Sequence, residues 1–114
     1  MAADSDRTFE LEATARSAVL ESQMEALLAQ AEGRTDDAIA HARAAAEREE
    51  RMPFMFGPPF VDKPSHELLG EILLAAGRAD EAVEAYRVAL SRAPGRVMSV
   101  EGLARASQRG RDEQ

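Results

Sequence analysis

Two stretches of the chain repeat one pattern at a distance of 44 residues, so that residues 28–48 match residues 72–92. In each copy a glycine, Gly33 or Gly77, separates two segments rich in strong helix formers. The positions that are identical in both copies are, in the numbers of the first copy, Ala31, Gly33, Arg34, Asp36, Ala38, Arg43, Ala45 and Arg48. Such a repeat indicates a helix–turn–helix unit that stacks on its neighbour, because one unit cannot bury its apolar face alone.

The first helix is predicted to be long. No proline or glycine occurs between Ser5 and Glu32, so a helix is expected from about residue 5 to residue 31. Its apolar residues recur at the spacing of one helix face, and they are Leu20, Met24, Leu27, Leu28 and Ala31. A repeat unit needs only the part from about residue 19 onward, so the preceding part is expected to overhang.

Four further helices are predicted at about 36–51, 65–76, 80–92 and 97–109, and no segment reads as a strand. Gly33 suits a left-handed C-cap, and Thr35 or Asp36 is expected to cap the second helix. Ser65 or Asp62 is expected to cap the third helix. The apolar residues that define the later helices are Ala38, Ile39, Ala42, Ala45 and Ala46, then Leu68, Leu69, Ile72 and Leu73, then Ala82, Val83, Tyr86, Ala89 and Leu90, and finally Val97, Val100, Leu103 and Ala104.

The second copy has a distinctive order of small, apolar and aromatic residues, namely Leu69, Gly70, Leu73, Ala82, Tyr86, Ala89 and Pro94. This order resembles the tetratricopeptide repeat, a family of helix–turn–helix scaffolds. The resemblance implies that Gly70 lets the two helices of the unit approach closely and that Tyr86 fills the space between them. In the first copy Glu25, Ala42 and Glu50 stand where the family has leucine, an aromatic residue and proline.

The resemblance implies a single all-α, tetratricopeptide-like domain of two units and a capping helix, with an N-terminal helical extension. Its parts are the extension (1–18), a degenerate repeat (19–52), an insertion (53–62), a clear repeat (63–96), a capping helix (97–109) and a tail (110–114). The insertion accounts for the distance of 44 residues between the copies, because an ordinary repeat of this family has 34.

The insertion is rich in proline and phenylalanine. Residues 53–64 hold four of the five prolines and three of the four phenylalanines, and these prolines disfavour a helix. We expect an ordered, non-helical segment whose apolar side chains pack on the helices or on a partner subunit, because they would be an aggregation liability in water. The alternative is a docking patch that stays available to a partner. The apolar residues concerned are Phe54, Met55, Phe56 and Phe60.

In tetratricopeptide repeats the first helix of each unit lines a concave face that binds ligands. Carried over by position, this face comprises Gln23, Leu27, Gln30, Glu67, Glu71, Leu74, Met98, Glu101 and Arg105. Glu67 and Glu71 are four residues apart and share a helix face, so a protein or peptide with basic side chains is the expected partner. The alternative is a face that is merely solvated.

Composition argues against several functions and locations. The net charge of −7 disfavours a nucleic-acid partner, and the absence of cysteine removes disulfides and thiolate metal sites. No apolar run approaches the ~20 residues of a membrane span, and the acidic first ten residues lack the apolar region of a signal peptide. We therefore expect a cytoplasmic protein. Thirteen arginines against one lysine, with abundant alanine, indicate a GC-rich bacterial genome.

The two halves of the chain differ in charge. Residues 1–52 carry 12 acidic and 6 basic groups, whereas residues 53–114 carry 9 and 8. The basic groups near the C-terminus are Arg92, Arg96, Arg105, Arg109 and Arg111. These charges either keep the helix faces soluble or steer a head-to-tail or antiparallel self-association.

The sequence predicts a protein–protein interaction scaffold with no enzymatic activity and no cofactor, because it has no arrangement of nucleophile and base and no phosphate-binding loop. A homo-oligomerising structural module, such as a homodimer, is the first alternative. A small-ligand or metal-binding domain that uses His41, His66, Glu67 and Glu71 is a more distant one. A His-Glu pair with one remote histidine lacks the spacing of the established zinc motifs.

Overall fold

Five helices make up the regular structure of the described residues in the computed structural model. These residues are 2–52 and 63–112 for the backbone, with side chains described from residue 14 onward. The helices are α1 (Ala2–Ala31), α2 (Thr35–Glu50), α3 (Ser65–Ala75), α4 (Ala79–Arg92) and α5 (Val97–Asp112). The prediction of an all-α fold is therefore confirmed.

The helix α3 lies at the centre of the assembly. Each helix packs against the next one along the chain, and α3 also contacts both α1 and α5. Nine of the eleven residues of α3 are buried, including Leu68, Leu69, Ile72 and Leu73 as expected. The core around them consists largely of alanines from the other helices, which lets the helix axes approach closely.

The turns between α1 and α2 and between α3 and α4 have the same backbone geometry. Gly33 has φ of +80° and Gly77 has φ of +79°, which is the left-handed conformation that glycine adopts without steric cost. The next amide donates to a carbonyl five residues back, from Arg34 to Ala29 at 2.8 Å and from Arg78 to Leu73 at 2.9 Å. These bonds define a Schellman motif, and the prediction of a left-handed cap at Gly33 is confirmed.

The predicted capping of α2 is wrong. The residue before the helix is Arg34, which makes no side-chain capping bond, and Thr35 is already the first helical residue. The cause is the Schellman motif, because its short turn leads straight into the next helix and leaves no free position for a capping side chain. Asp36 instead lies in the first turn, where a carboxylate interacts favourably with the helix dipole.

Among the described residues, Tyr86 is the largest fully buried side chain, and it lies between two glycines. A Cβ atom on Gly70 would be 2.9 Å from Cε2 of the ring, and one on Gly102 would be 2.3 Å from Cε1. The prediction that Tyr86 packs against Gly70 is confirmed. The contact of Tyr86 with Gly102 of α5 was not predicted. Burial of the ring, followed by the charge of Glu71, raises the pKa of the tyrosine hydroxyl against the opposing effect of Arg105.

The helix α1 is much longer than the helix that it pairs with. Its 30 residues span about 45 Å, and the 16 residues of α2 span about 24 Å, at a rise of about 1.5 Å per residue. The N-terminal part of α1 therefore extends past α2 by about 20 Å, as the sequence predicted. Within the described residues, no helix has both the length and the apolar character needed to cross a bilayer.

Candidate interaction surface

The residues of the predicted concave face differ in exposure. Gln23, Glu67 and Leu74 are buried, and Glu71 is half-buried. The exposed members are Leu27, Gln30, Met98, Glu101 and Arg105. The set thus contains side chains that join helices to one another as well as side chains that a partner could reach.

Glu67 is the centre of a buried ionic cluster. Its fully buried carboxylate accepts hydrogen bonds from Nζ of Lys63 at 3.1 Å, from Oγ of Ser99 at 2.9 Å, and from Nε of Arg96. Lys63 also donates to Oε1 of Glu71 at 2.5 Å. Burial alone would raise the pKa of Glu67, but the hydrogen bonds from Arg96, Lys63 and Ser99 outweigh this effect and lower it. The ionised carboxylate therefore ties α3 to α5 and is closed to an external cation.

A second buried cluster joins the first three helices. Nε2 of Gln23 on α1 donates to the Lys63 carbonyl at 2.7 Å and to Oγ of Ser65 at 2.8 Å. Oε1 of Glu49 on α2 accepts from the same hydroxyl at 3.0 Å. All three side-chain groups, those of Gln23, Glu49 and Ser65, are buried, so each depends on the others for its hydrogen bonds.

The start of α3 is capped from another helix. Pro64 precedes the helix and Ser65 is its first residue, with no side-chain capping bond of its own, so the prediction that Ser65 caps α3 is wrong. The amide of Ser65 instead donates to Oε1 of Glu49 at 3.1 Å. A carboxylate at this place satisfies a free amide and interacts favourably with the helix dipole. Asp62, the other predicted cap, lies outside the described residues.

The bonds Gln23–Ser65 and Glu67–Ser99 occupy corresponding places. Glu67 follows Gln23 by the repeat distance of 44 residues, and Ser99 follows Ser65 by 34 residues. In both cases an amide or carboxylate on one helix meets a buried hydroxyl near the start of the next helix but one. Gln23 and Glu67 were predicted to lie on a surface and Ser65 to cap α3, while Ser99 was not predicted to have a role. The spacing of 34 residues between the two serines was the signal that could have identified them.

One face of α1 exposes four large apolar side chains. They are Leu20, Met24, Leu27 and Leu28, which are 40%, 70%, 50% and 56% exposed, and we call them the α1 stripe. The opposite face carries Val19, Ala26 and Ala29, all fully buried. The helix therefore packs inward mainly through small residues and directs its larger apolar residues away from α2 and α3.

The helix α5 likewise packs inward through small residues and exposes larger apolar ones. Its buried residues are Ser99, Gly102 and Ala106, whereas Val97 and Val100 are 65% and 49% exposed. The apolar residues from which this helix was predicted are therefore not its packing face, because Val97, Val100 and Ala104 are exposed and Leu103 is only partly buried. The cause is the Tyr86 ring, because it approaches α5 so closely that only a glycine fits opposite it. We call Val97 and Val100 the α5 patch.

A shallow groove of about 350 Å³ lies over α3, between α2 and α4. Its floor is apolar and includes Leu69, Leu73 and Val88, and its rim is charged. On that rim, Nη2 of Arg43 is 3.2 Å from Oε1 of Glu81. The groove thus combines an apolar floor with charges that partly neutralise one another.

The two histidines lie apart and pair with different carboxylates. Nδ1 of His41 is 3.1 Å from Oε2 of Glu25, and Nε2 of His66 is 2.6 Å from Oε1 of Glu50. Among the described residues, no group of three or more histidine and acidic side chains could hold a metal ion. The histidines join neighbouring helices, α1 with α2 and α2 with α3.

The predicted apolar docking residues Phe54, Met55, Phe56 and Phe60 lie outside the described residues. Whether they are buried or open to a partner stays a prediction. The flanking residues are fixed, because Met52 is buried and Lys63 is bonded to Glu67 and Glu71.

Comparison of this chain with known protein families, with curated proteins and with solved structures finds no match.

Proposed function

We propose that this protein is a helical-repeat module of the tetratricopeptide type that binds another protein through the α1 stripe. The observation that carries the proposal is the exposure of four large apolar side chains on one face of a helix that uses alanines for its internal contacts. Single exposed apolar residues are normal, whereas a contiguous group marks an interaction site.

Several features support the repeat arrangement. The turns at Gly33 and Gly77 are equivalent, and the bonds Gln23–Ser65 and Glu67–Ser99 recur at corresponding places. Tyr86 also fills the space beside a glycine, as the resemblance implies. In solenoids of this kind each unit contacts only its neighbours, and the surfaces left over serve for binding.

The spacing of the α1 stripe favours an apolar helix or groove as the partner surface. Positions 20, 24, 27 and 28 have the i, i+4, i+7 and i+8 spacing by which one helix face is recognised. Covering four side chains that are each about half exposed would contribute roughly 3–6 kcal/mol, at about 1.5–3 kcal/mol for a full burial. This is a modest contribution, so further contacts around the stripe must add to it.

The expectation of a basic partner now depends on fewer residues. Glu67 is bonded internally, and Glu71 shares Lys63 with it. Glu101 is exposed and remains open to a basic side chain. A cation on the partner would thus add to the apolar contact without replacing it.

The test compares three immobilised forms of the full chain in a lysate of the source organism. The variant Met24→Gln/Leu28→Gln replaces two exposed residues of the α1 stripe by polar helix formers. The matched control Glu47→Gln/Arg48→Gln changes two exposed residues of α2. We expect quantitative mass spectrometry to show proteins that the wild type and the control retain and that the stripe variant loses at least tenfold, about 1.4 kcal/mol of binding.

Equal retention of the same proteins by all three forms would contradict a role of the α1 stripe. Circular dichroism of each form provides the structural control, since the substituted side chains are exposed and the helices should persist.

A further inference from the structure

The exposed large apolar side chains of the described residues all lie on two helices. They belong to α1 (Leu20, Met24, Leu27 and Leu28) and to α5 (Val97, Met98 and Val100). The middle helices α2, α3 and α4 have none in the described part of the chain. Grouped exposed apolar side chains of this kind mark interaction surfaces, which indicates that both helices are covered when the protein works.

The α1 stripe and the α5 patch lie on different sides of the array. The buried face of α1 contacts α2 and α3, and the buried face of α5 contacts α4 and α3. Positions 97 and 100 lie roughly opposite Ser99, Gly102 and Ala106 on a helix of 3.6 residues per turn. The two apolar surfaces therefore face away from α3 on its two flanks and cannot meet within one molecule.

Charge distinguishes between the ways in which two copies could associate. The helix α1 contains six carboxylates and two arginines, whereas α5 contains three arginines and two carboxylates. Pairing α1 with α1 of another copy would bring two acidic helices together, which is unfavourable. Pairing α1 with α5 joins an acidic helix to a basic one and covers both apolar surfaces with a single kind of contact.

We propose that the occupant of the α1 stripe is a second copy of this chain, docked head to tail through its α5 patch. This proposal rests on the proposed function, because it names the partner of the same surface. The contact is heterologous: each copy offers one surface and accepts the other, so repetition produces a growing chain of molecules or a closed ring.

The decisive experiment uses two variants that each block one surface. Met24→Gln/Leu28→Gln blocks the α1 stripe, and Val97→Gln/Val100→Gln blocks the α5 patch. Light scattering after size exclusion gives the mass over a concentration series, against 12.4 kDa for the monomer. We expect the wild type to grow in mass with concentration and each variant alone to stay at 12.4 kDa. An equimolar mixture of the variants should form a dimer of twice that mass and nothing larger, because each copy retains one complementary surface.

A cysteine pair supplies a second measurement that does not depend on blocking. The chain has no cysteine. A mixture of a Met24→Cys variant and a Val100→Cys variant therefore contains one thiol in each copy and no others. Head-to-tail docking predicts a mixed disulfide between them under mild oxidation, in excess over either symmetric disulfide. Exposed positions were chosen so that the fold is retained, which thermal unfolding of each variant checks.

Three results would overturn the proposal. The first is a wild type that stays at 12.4 kDa at every concentration. The second is a Val97→Gln/Val100→Gln variant that dimerises alone, which would show pairing of α1 with α1. The third is a mixture of the two blocked variants that stays monomeric. If the wild type is monomeric but the stripe variant still loses a retained protein in the lysate, self-association is wrong and the proposed function stands.

Discussion

The helix pairs α1–α2 and α3–α4 fill the contact between their helices with different side chains. In the pair α3–α4, Gly70 faces Tyr86, and the ring occupies the space that a side chain at position 70 would need. The corresponding positions of the pair α1–α2, 44 residues earlier, are Ala26 and Ala42, both fully buried. A glycine and a large aromatic residue have thus been replaced by two small residues of similar size. Positions 44 residues apart thus lie at the helix contact in both pairs, although different side chains fill it.

The two pairs also differ in the charge of their buried link to the next helix. Gln23 meets Ser65 as a neutral amide, whereas Glu67 meets Ser99 as a carboxylate that Lys63 and Arg96 also contact. Neither member of the Gln23–Ser65 bond titrates, whereas Glu67 in the corresponding bond does. The Glu67–Ser99 bond should therefore depend on pH through Glu67 itself.

The largest expected effect on stability is that of removing the Tyr86 ring from the pair α3–α4. Tyr86→Ala should lower the free energy of unfolding by about 3–5 kcal/mol, because a large buried ring is removed from between two glycines. The corresponding change in the first pair, Ala42→Gly, removes one methyl group and should cost about 1 kcal/mol through helix propensity. Urea denaturation followed by circular dichroism measures both.

A second substitution tests the same contact from the other side. Gly102→Ala would place a Cβ atom 2.3 Å from the Tyr86 ring, and overpacking of this kind costs about 1–3 kcal/mol. In the Tyr86→Ala background the added methyl group meets no ring, so the double variant should be more stable than the sum of the two losses predicts. Strictly additive losses would show that the ring and α5 do not depend on one another.

The next expected effect concerns the ionised link. Glu67→Gln gives the second pair the same residue type as Gln23 and should lower the free energy of unfolding at pH 7 by roughly 2–3 kcal/mol. The loss arises because Lys63 and Arg96 lose a charged acceptor. Glu101→Gln removes the same charge from an exposed position, and the free energy of unfolding of this variant should stay within about 0.5 kcal/mol of that of the wild type.

The pH dependence of this effect has a definite sign. The pKa of Glu67 in the folded protein lies below its ordinary value of 4.5, so the carboxyl group binds its proton more readily in the unfolded chain. Its contribution to stability is therefore complete above about pH 4.5 and is lost as the pH falls through the lower, folded-state pKa. The difference between the wild type and Glu67→Gln should shrink below that pH. A difference that stays constant from pH 7 to pH 3 would contradict the lowered pKa.

The sequence predicted the helices well, because helix propensity and the repeated glycine turns are local signals. The Tyr86–Gly70 contact was predicted from the resemblance to tetratricopeptide repeats. The orientation of α1 and α5 was not predictable in the same way. In α1, Ala26 and Ala29 provide the buried face, and periodicity alone does not distinguish a face of alanines that packs inward from a face of leucines that stays outside. In α5 the orientation depends on Gly102 meeting a ring from another helix, and the periodicity of α5 gives no sign of that contact.

The role of Glu67 was missed for a related reason. The resemblance assigned it to a binding face, and its burial depends on Arg96 and Ser99, which come from a later part of the chain. A single sequence with charges at helical spacing does not show which carboxylate becomes enclosed when a third helix packs over it.

The smallest expected effect tests whether the two halves are equivalent where they look most alike. Gly33→Ala and Gly77→Ala each force a residue with a Cβ atom into a left-handed conformation, with φ of +80° and +79°. Apart from the adjacent residues, no described atom lies within 4 Å of either new Cβ position, so the cost is that of the backbone alone, about 1–2 kcal/mol at each site. The two turns have the same pattern of hydrogen bonds. The two losses of stability should therefore agree within about 0.5 kcal/mol and should add in the double variant. Thermal unfolding of the three variants at one protein concentration measures this. A clearly larger loss of stability at Gly77 would mean that the pair α3–α4 tolerates a change in its turn less well than the pair α1–α2 does. The two turns would then be equivalent in geometry and not in their contribution to stability.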